Sequence, residues 1–423
     1  MAPVPGSAVS EAAEMRSESV VVTGSSISEP SGVIAPPEPM PTPTPTPTPL
    51  PQAGTLTAGD YDDTLNPELY KTYLDKVLQE ELSGKELPFV DASNRIEVNV
   101  TDRLGKPAAF ATVVMSDADG NALATATTGA KGKVFFYPAY DDLDDAVVVT
   151  ATDLEGETER LRITDETTGP LMLSFDGDVS APTKLDLLLT IDATGSMLDE
   201  MRYLQSEFLS ITAELEETLG DIDIRAGLIV YRDRGDDYVV RDFDFTSDLE
   251  AFSAILGEQR ADGGGDFPEA MQDAMAASVA LSWRDDAIKV NMLVADAPPH
   301  DEDIAATWKA AEASREAGIH IVPLAASGVD GTAEFLMRAM GQITMGRYMF
   351  LTDDSGVGNA HAEPTVDCYV VTRLDSLVRR VLADMMTGTR VEPEGSEVIR
   401  VVGEYRLGRC EVSEDEPPPK RGN

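Results

Sequence analysis

The spacing of apolar residues changes character along the chain. From Lys184 to about Arg390, nearly unbroken aliphatic runs alternate with stretches of helical period. The runs predict strands at 185–191, 223–231, 238–244, 288–295, 319–325 and 347–351. The stretches between them include helices at 197–219, 267–281, 302–317 and 373–387. Strands as aliphatic as "LDLLLTI" and "VNMLVA" imply burial on both faces, so 184–390 is expected to be an α/β doubly wound, mostly parallel sheet covered by helices. "YVVRDFDF" alternates and carries charge, which predicts an edge strand. Between Arg95 and about Phe175 the period falls to two: Ile96, Val98 and Val100 alternate with polar residues, and the turns "DRLGKP", "DADGN" and "TGAKGK" follow. This pattern predicts a small antiparallel β-sandwich over 93–180.

Upstream, "NPELYKTYLDKVLQEELSG" opens with Asn66 as a candidate N-cap and Pro67 at the first helical position, and stops at Gly84. It is expected to be a helical spacer or docking helix within 59–92. Residues 1–58 are rich in Pro, Ser, Thr and Glu and lack aromatics, so a disordered linker is expected. Its Pro/Thr tract, Pro39 to Pro51, favours extended polyproline II and suits a spacer that holds a folded part away from an envelope anchor.

Charge narrows the partners. The 423 residues carry 76 acidic against 33 basic side chains, a formal charge of −43, which argues against nucleic acid or an anionic membrane surface. Cations and basic protein surfaces are the natural counterparts. No run of 18 apolar residues suggests a transmembrane helix, and the first residues lack the basic and apolar regions of a signal peptide. Two cysteines, Cys368 and Cys410, are too few for a disulfide framework or a structural zinc site.

The candidate chemistry sits at strand ends. In an open parallel sheet, ligands bind at the carboxyl ends of the strands. "TIDATGSMLDEM" sets Asp192, Thr194 and Ser196 at alternate positions after the strand 185–191, and Asp296 ends "VNMLVAD". "RADGGGDFPEAM" places Asp266 before a helix. Oxygen ligands from three loops suit a hard divalent cation, Mg²⁺ first, with Ca²⁺ or Mn²⁺ as alternatives. Each residue also has a plain structural reading: Ser196 as a cap of 197–219, Asp266 and Glu269 as a capping box, Asp296 as a cap of the next helix. Their placement at one end of the sheet favours the cation.

"DATGSM", "VYRDRGD", "GGGDFPEA" and "VADAPPH", in this order, resemble a von Willebrand factor A domain over about Lys184 to Gly388, and more narrowly its alpha-kinase-associated and bacterial members. "IEVNVTDRLGKPAAFATVVMSDADGNALATATTGAKGKVFFYP" resembles the carboxypeptidase regulatory-like, immunoglobulin-like modules of bacterial surface proteins. The first resemblance implies a metal-ion-dependent adhesion site with Asp192, Thr194 and Ser196 as one ligand group and Asp296 as another. Thr194 replaces the usual Ser and keeps the oxygen. Asp266 stands where many members carry Thr; a third carboxylate would tighten cation binding while making the metal less electrophilic. The function implied is a non-catalytic, cation-dependent protein-binding module of the cell envelope, with an unidentified protein held by loops that carry Arg232, Asp233, Arg234, Asp236, His300 and Asp301. The alternatives are a metal-dependent hydrolase, with His300 as its base, and a structural envelope component with a degenerate site.

The tail, 391–423, is expected to pack on or add a strand to the sandwich through Val398, Ile399, Val401 and Val402. That placement leans against a bond between Cys368 and Cys410, although an exported chain with two cysteines invites one.

Overall fold

The computed structural model describes residues 55–164, 167–356 and 361–411. The linker expected at 1–58 falls outside these residues apart from its last four. Among the described residues no helix is long and apolar enough to cross a membrane.

The chain enters through β1 (Thr57–Tyr61) and α1 (Pro67–Lys76). Seven short strands follow: β2 (Ile96–Asp102), β3 (Thr112–Ser116), β4 (Ala122–Thr127), β5 (Lys133–Phe136), β6 (Val148–Thr152), β7 (Thr158–Arg162) and β8 (Leu171–Phe175). The α/β portion comprises β9 (Lys184–Asp192), α2 (Leu198–Leu219), β10 (Asp223–Tyr231), β11 (Val240–Thr246), α3 (Leu249–Glu258), α4 (Met271–Val279), β12 (Ile288–Ala295), α5 (Ile304–Glu316), β13 (Ile319–Ala325), α6 (Gly331–Thr344), β14 (Tyr348–Thr352), β15 (Tyr369–Arg373) and α7 (Leu374–Thr387). β16 (Arg400–Val402) follows α7.

Nine strands form one sheet in the order β11-β10-β9-β12-β13-β14-β1-β15-β16. Its centre, from β10 to β14, is parallel. The pairings β10–β11, β14–β1, β1–β15 and β15–β16 are antiparallel, so the sheet is mixed rather than mostly parallel. The charged strand β11 lies at an edge. Alternate residues of the central strands feed two cores. Leu187, Leu189 and Ile191 meet α2, α3 and α7 on one face, while Leu188, Ile229 and Leu293 meet α4, α5 and α6 on the other. Withdrawing each such side chain from water contributes about 1.5–3 kcal/mol.

The segment 59–92 departs from a spacer. β1 inserts between β14 and β15, and Tyr70 and Leu74 of α1 are fully buried in the second core. Apolar patterning misses β1 because its sequence is TAGDY. Gly59 lies against the Phe350 ring, where a Cβ would come within 2.7 Å. Asp60, 3% exposed, is neutralised by Arg347 at 3.1 Å and Arg390 at 3.2 Å. Burial, the largest single influence, would raise its carboxyl, but Arg347, Arg390 and Arg380 together hold it below its ordinary value.

The short strands form a three-stranded sheet, β5-β2-β8, and a four-stranded one, β4-β3-β6-β7, around a core that includes Val98, Val113, Phe136, Val149 and Phe175. They do not stand apart as a separate compact unit from the α/β portion. Arg315 of α5 binds Asp141 with two hydrogen bonds of 2.7 and 2.9 Å, Trp308 Nε1 donates to Tyr140 Oη at 2.8 Å, and Tyr137 Oη donates to the Gln342 carbonyl at 3.0 Å.

The tail goes elsewhere than expected. β16 pairs with β15 and extends the large sheet instead of the small ones, because β15 presents an unpaired edge there. Cys410 is bonded to Cys368, with Cα atoms 5.4 Å apart, against the separation inferred from sequence. The tail climbs back along the domain: Asn66 Nδ2 donates to the Gly408 carbonyl at 2.8 Å, and Cys410 N donates to Asn66 Oδ1 at 3.0 Å.

Candidate functional site

Parallel register brings the carboxyl ends of β9, β10 and β12 together, with Asp192 directly beside Tyr231. Asp192 is fully buried. Its Oδ1 accepts from Thr194 N at 2.9 Å and Thr194 Oγ1 at 2.7 Å, and Thr194 Oγ1 lies 3.2 Å from Ser196 Oγ. Asp296 follows β12 by one residue and is 4% exposed. None of the three capping alternatives holds: Met197, Ala270 and Asp303 are the N-caps of α2, α4 and α5, and none of these helices has a side-chain cap.

Backbone contacts lock the loops together. Gly195 N donates to the Gly263 carbonyl at 3.2 Å, Asp262 N to the Ala193 carbonyl at 3.0 Å, and Glu269 N to the Pro298 carbonyl at 3.0 Å. Asp266, by contrast, is exposed, and among the described residues no hydrogen bond or ion pair joins it to Asp192, Thr194, Ser196 or Asp296. Glu269 takes the inward position, 4% exposed. Pro268 precedes it and α4 starts only at Met271, so its side chain is free to turn into the loop cluster. Gly264, at φ +74°, makes room: a Cβ there would lie 3.0 Å from Glu269 Oε1 and 3.2 Å from Thr194 Cβ.

Four carboxylate oxygens here, Asp192 Oδ2, Glu269 Oε2, Asp296 Oδ1 and Glu200 Oε2, are buried without a well-formed hydrogen bond, although the Tyr231 and Ser196 hydroxyls lie near enough to Asp192 and Asp296 to lower those carboxyls. Burial pushes the Asp192 carboxyl up to about 7, with repulsion from Asp296 adding to it and hydrogen bonds from Thr194 opposing. Glu269 is pushed up to about 9, first by burial and then by Asp192, Asp233, Asp296 and Asp236. Burial likewise raises Asp296, and Glu200 adds to the rise. Unsatisfied buried carboxylates are costly unless a cation or a proton joins them, and this donor set suits a hard divalent ion. Among the described residues no three acidic, His or Cys side chains are already closed into a cage. A bound ion would therefore draw on Thr194, Ser196 and water as well as on carboxylates.

The expected partner loops divide. Arg232 is 6% exposed, donates to the Arg260 carbonyl at 2.9 Å and lies over Tyr238, so it is a packing residue. Asp233 is also turned inward, 2.8 Å from His300 Nε2. Asp236 Oδ2 accepts from Gly264 N at 2.9 Å and supports the glycine loop. Arg234 remains exposed and pairs with Asp303 at 2.5 Å, while the exposed Asp301 pairs with Lys85 at 2.6 Å. Sequence reasoning missed Glu269, Glu200 and Tyr231. A Glu placed after Pro and before the helix start was the available signal for Glu269.

A second polar chain occupies the same pole. His361 Nδ1 lies 2.8 Å from Asp353 Oδ1, and His361 Nε2 lies 3.2 Å from Ser327 Oγ. The Ser327 hydroxyl and backbone N–H both donate to Glu200 Oε1. That directs the serine proton at Glu200 instead of the histidine and engages the Ser327 amide, which is then not free to stabilise an oxyanion.

The family described as von Willebrand factor A domain matches residues 186–358. Alpha-protein kinase vwkA of Dictyostelium discoideum is 27% identical over 162 residues, covering 37% of this chain and 25% of that protein. An ariadne-like RING finger protein of Acanthamoeba polyphaga mimivirus is 35% identical over 125 residues, covering 27% of this chain and 11% of that protein. The chain thus spans a quarter or less of these relatives. Among solved structures, BatB from Bacteroides thetaiotaomicron aligns at 13% identity and a TM-score of 0.32, covering 48% of this chain and 98% of that one. Pilus adhesin SpaC from Lactobacillus rhamnosus GG, in its open conformation, aligns at 13% identity and a TM-score of 0.30, covering 47% and 28%.

Proposed function

For a chain that carries a von Willebrand factor A domain over residues 186–358, we propose a protein-binding role that depends on a divalent cation held by Asp192, Thr194, Ser196, Glu269 and Asp296. The observation that carries this reading is the crowding of buried, incompletely satisfied carboxylates at one sheet end. Mg²⁺ is the first candidate, with Ca²⁺ and Mn²⁺ as alternatives, because every donor is oxygen. A bound cation supplies positive charge that these side chains lack. Thr194 is oriented by Asp192, and Gly264 keeps the loop close enough for Glu269 to contribute. With Glu269 in place of Asp266, the site still has three carboxylates against two cationic charges. An acidic partner group is then attracted weakly, and a partner with a basic or mixed rim fits the exposed Asp262, Asp301 and Glu302 better.

A cell-envelope location is part of the proposal. It is supported by the Cys368–Cys410 bond, since such bonds persist in oxidising compartments, and by the spacer composition of the first 58 residues. The module is read as non-catalytic. The Ser327–His361–Asp353 contacts favour a hydrolase as the second reading, and Glu200 argues against it by taking the serine proton. Immobilised protein should capture a protein partner in Mg²⁺ and release it in EDTA or as salt rises. Capture indifferent to both EDTA and salt would contradict the proposal, and phosphatase or peptidase turnover with Mg²⁺ or Mn²⁺ would favour the second reading.

A further inference from the structure

The chain's negative charge reverses locally in a cavity of about 160 Å³ at the seam between the small sheets and the amino-terminal end of the large one. Arg95, Lys131, Lys133, Arg347 and Arg409 line it, against Asp62, Glu97 and Asp384. Five cations less three anions leave a surplus of two in a chain whose formal charge is −43. Three of the five cations are already paired: Lys133 with Glu97 at 2.6 Å, Lys131 with Asp384 at 3.3 Å, and Arg347 with Asp60 and Asp384. Arg95 and Arg409 make no ion pair with a carboxylate among the described residues. Arg409 donates to the Leu65 carbonyl at 3.1 Å. Arg95 stacks over the Phe135 ring at 3.9 Å, and its Nη1 is buried without a hydrogen-bond partner. Burial pushes the Arg95 guanidinium below its ordinary value; Tyr137, Glu97 and Asp62 oppose that push and Arg409 adds to it more weakly. Two guanidiniums therefore line one space without a direct ion pair of their own, with Glu97 and Asp62 in the same lining.

Leu65, Ala130, Phe135, Met345 and Met385 supply apolar wall, with Thr64 and His320 as the other polar side chains. A cavity of this size accommodates about one six-membered ring. Its shape is secured by close backbone approach, since a Cβ on Gly129 would come within 2.7 Å of His320 Nε2.

We propose that this cavity is a binding site for a small organic acid, a carboxylate on an apolar body of about one ring, with the carboxylate held by Arg95 and Arg409 and the body lying against Phe135 and the two methionines. A planar guanidinium fork binds a carboxylate with two parallel hydrogen bonds. The ligand would bridge β2 and β5, the segment after β1, the turn between α6 and β14, and the tail. β13 runs from His320 beside this cavity to Ala325 beside the cation loops, so the two sites are separated by about 16 Å or more at the rise of a β-strand.

The probe is benzoate, titrated calorimetrically into the full chain, with inorganic phosphate as the comparison. Benzoate should bind one per chain and raise the melting temperature. Arg95→Gln should weaken it by about 10- to 100-fold, as expected for loss of a charge-assisted pair. Arg95→Lys, which keeps the charge and loses the fork, should fall between and serves if the Gln variant does not fold. Asp192→Ala should leave benzoate binding unchanged. No saturable benzoate binding, binding unaffected by both Arg95 variants, or phosphate binding as tightly as benzoate would overturn the proposal.

Discussion

Replacing Asp192 by Asn should stabilise the cation-free protein at neutral pH, and a divalent cation should remove most of that advantage by stabilising wild type alone. The Asp192 carboxyl titrates at about 7 in the fold against an ordinary 3.8. Between those values the folded state keeps a proton that the unfolded state has released. Stability is therefore fullest below pH 4 and falls as pH rises to about 7. At about 1.4 kcal/mol per pH unit, the raised carboxyl costs the fold about 4 kcal/mol at pH 8, where it is ionised, and about 2 kcal/mol at pH 5, where it holds a proton that the unfolded chain has released. Asn carries no such charge, and its Oδ1 still accepts from Thr194 N and Oγ1. Urea unfolding in EDTA should show Asp192→Asn gaining most at pH 8 and less at pH 5. With Mg²⁺ at a hundred times its dissociation constant, wild type should gain about 2.7 kcal/mol and the variant close to none. An Asn variant less stable than wild type in EDTA at both pH values would refute the view that unsatisfied negative charge strains this site.

Two further changes probe what holds the site's scaffold. Arg338, 1% exposed, binds Asp63 at 2.7 Å and the Thr365 carbonyl at 2.7 Å, and stacks over Tyr73, joining α6 to the segment around α1. Arg338→Met leaves Asp63 buried and unpaired and should lose about 3–5 kcal/mol by urea unfolding; a loss under about 1 kcal/mol would show the pair to be incidental. Cys410→Ser opens a 42-residue separation, for which chain entropy predicts a loss of about 4 kcal/mol. Unchanged melting under oxidising conditions would show that the tail's hydrogen bonds suffice without the bond.

The central sheet was legible because β9, β10, β12 and β13 are continuous aliphatic runs, and burial on both faces leaves that imprint. β1 was not, since TAGDY owes its place to a glycine under Phe350 and to two arginines distant in sequence. α6 was missed although Glu334, Arg338 and Gln342 recur on it at helical spacing, because that polar stripe is buried against partners such as Asp63 instead of facing solvent. At the site, Asp192, Thr194, Ser196 and Asp296 stood at strand ends, where topology alone gathers them. The choice between Asp266 and Glu269 depends on where α4 starts, and that boundary is set by Pro268 and the loop contacts rather than by periodicity. The Cys368–Cys410 bond was hidden for a related reason: the tail's course follows β15, and β15 was itself unread.

The most direct measurement is a calorimetric titration of Mg²⁺ into wild type, Glu269→Gln and Asp266→Asn at pH 8, in two buffers of different ionisation enthalpy. Wild type should bind one ion per chain with proton release, since raised carboxyls give up protons to the metal. Glu269→Gln should weaken binding by at least about tenfold and Asp266→Asn by less than about twofold. No saturable heat from wild type, or a larger loss at Asp266 than at Glu269, would contradict a cation site built on Asp192, Glu269 and Asp296.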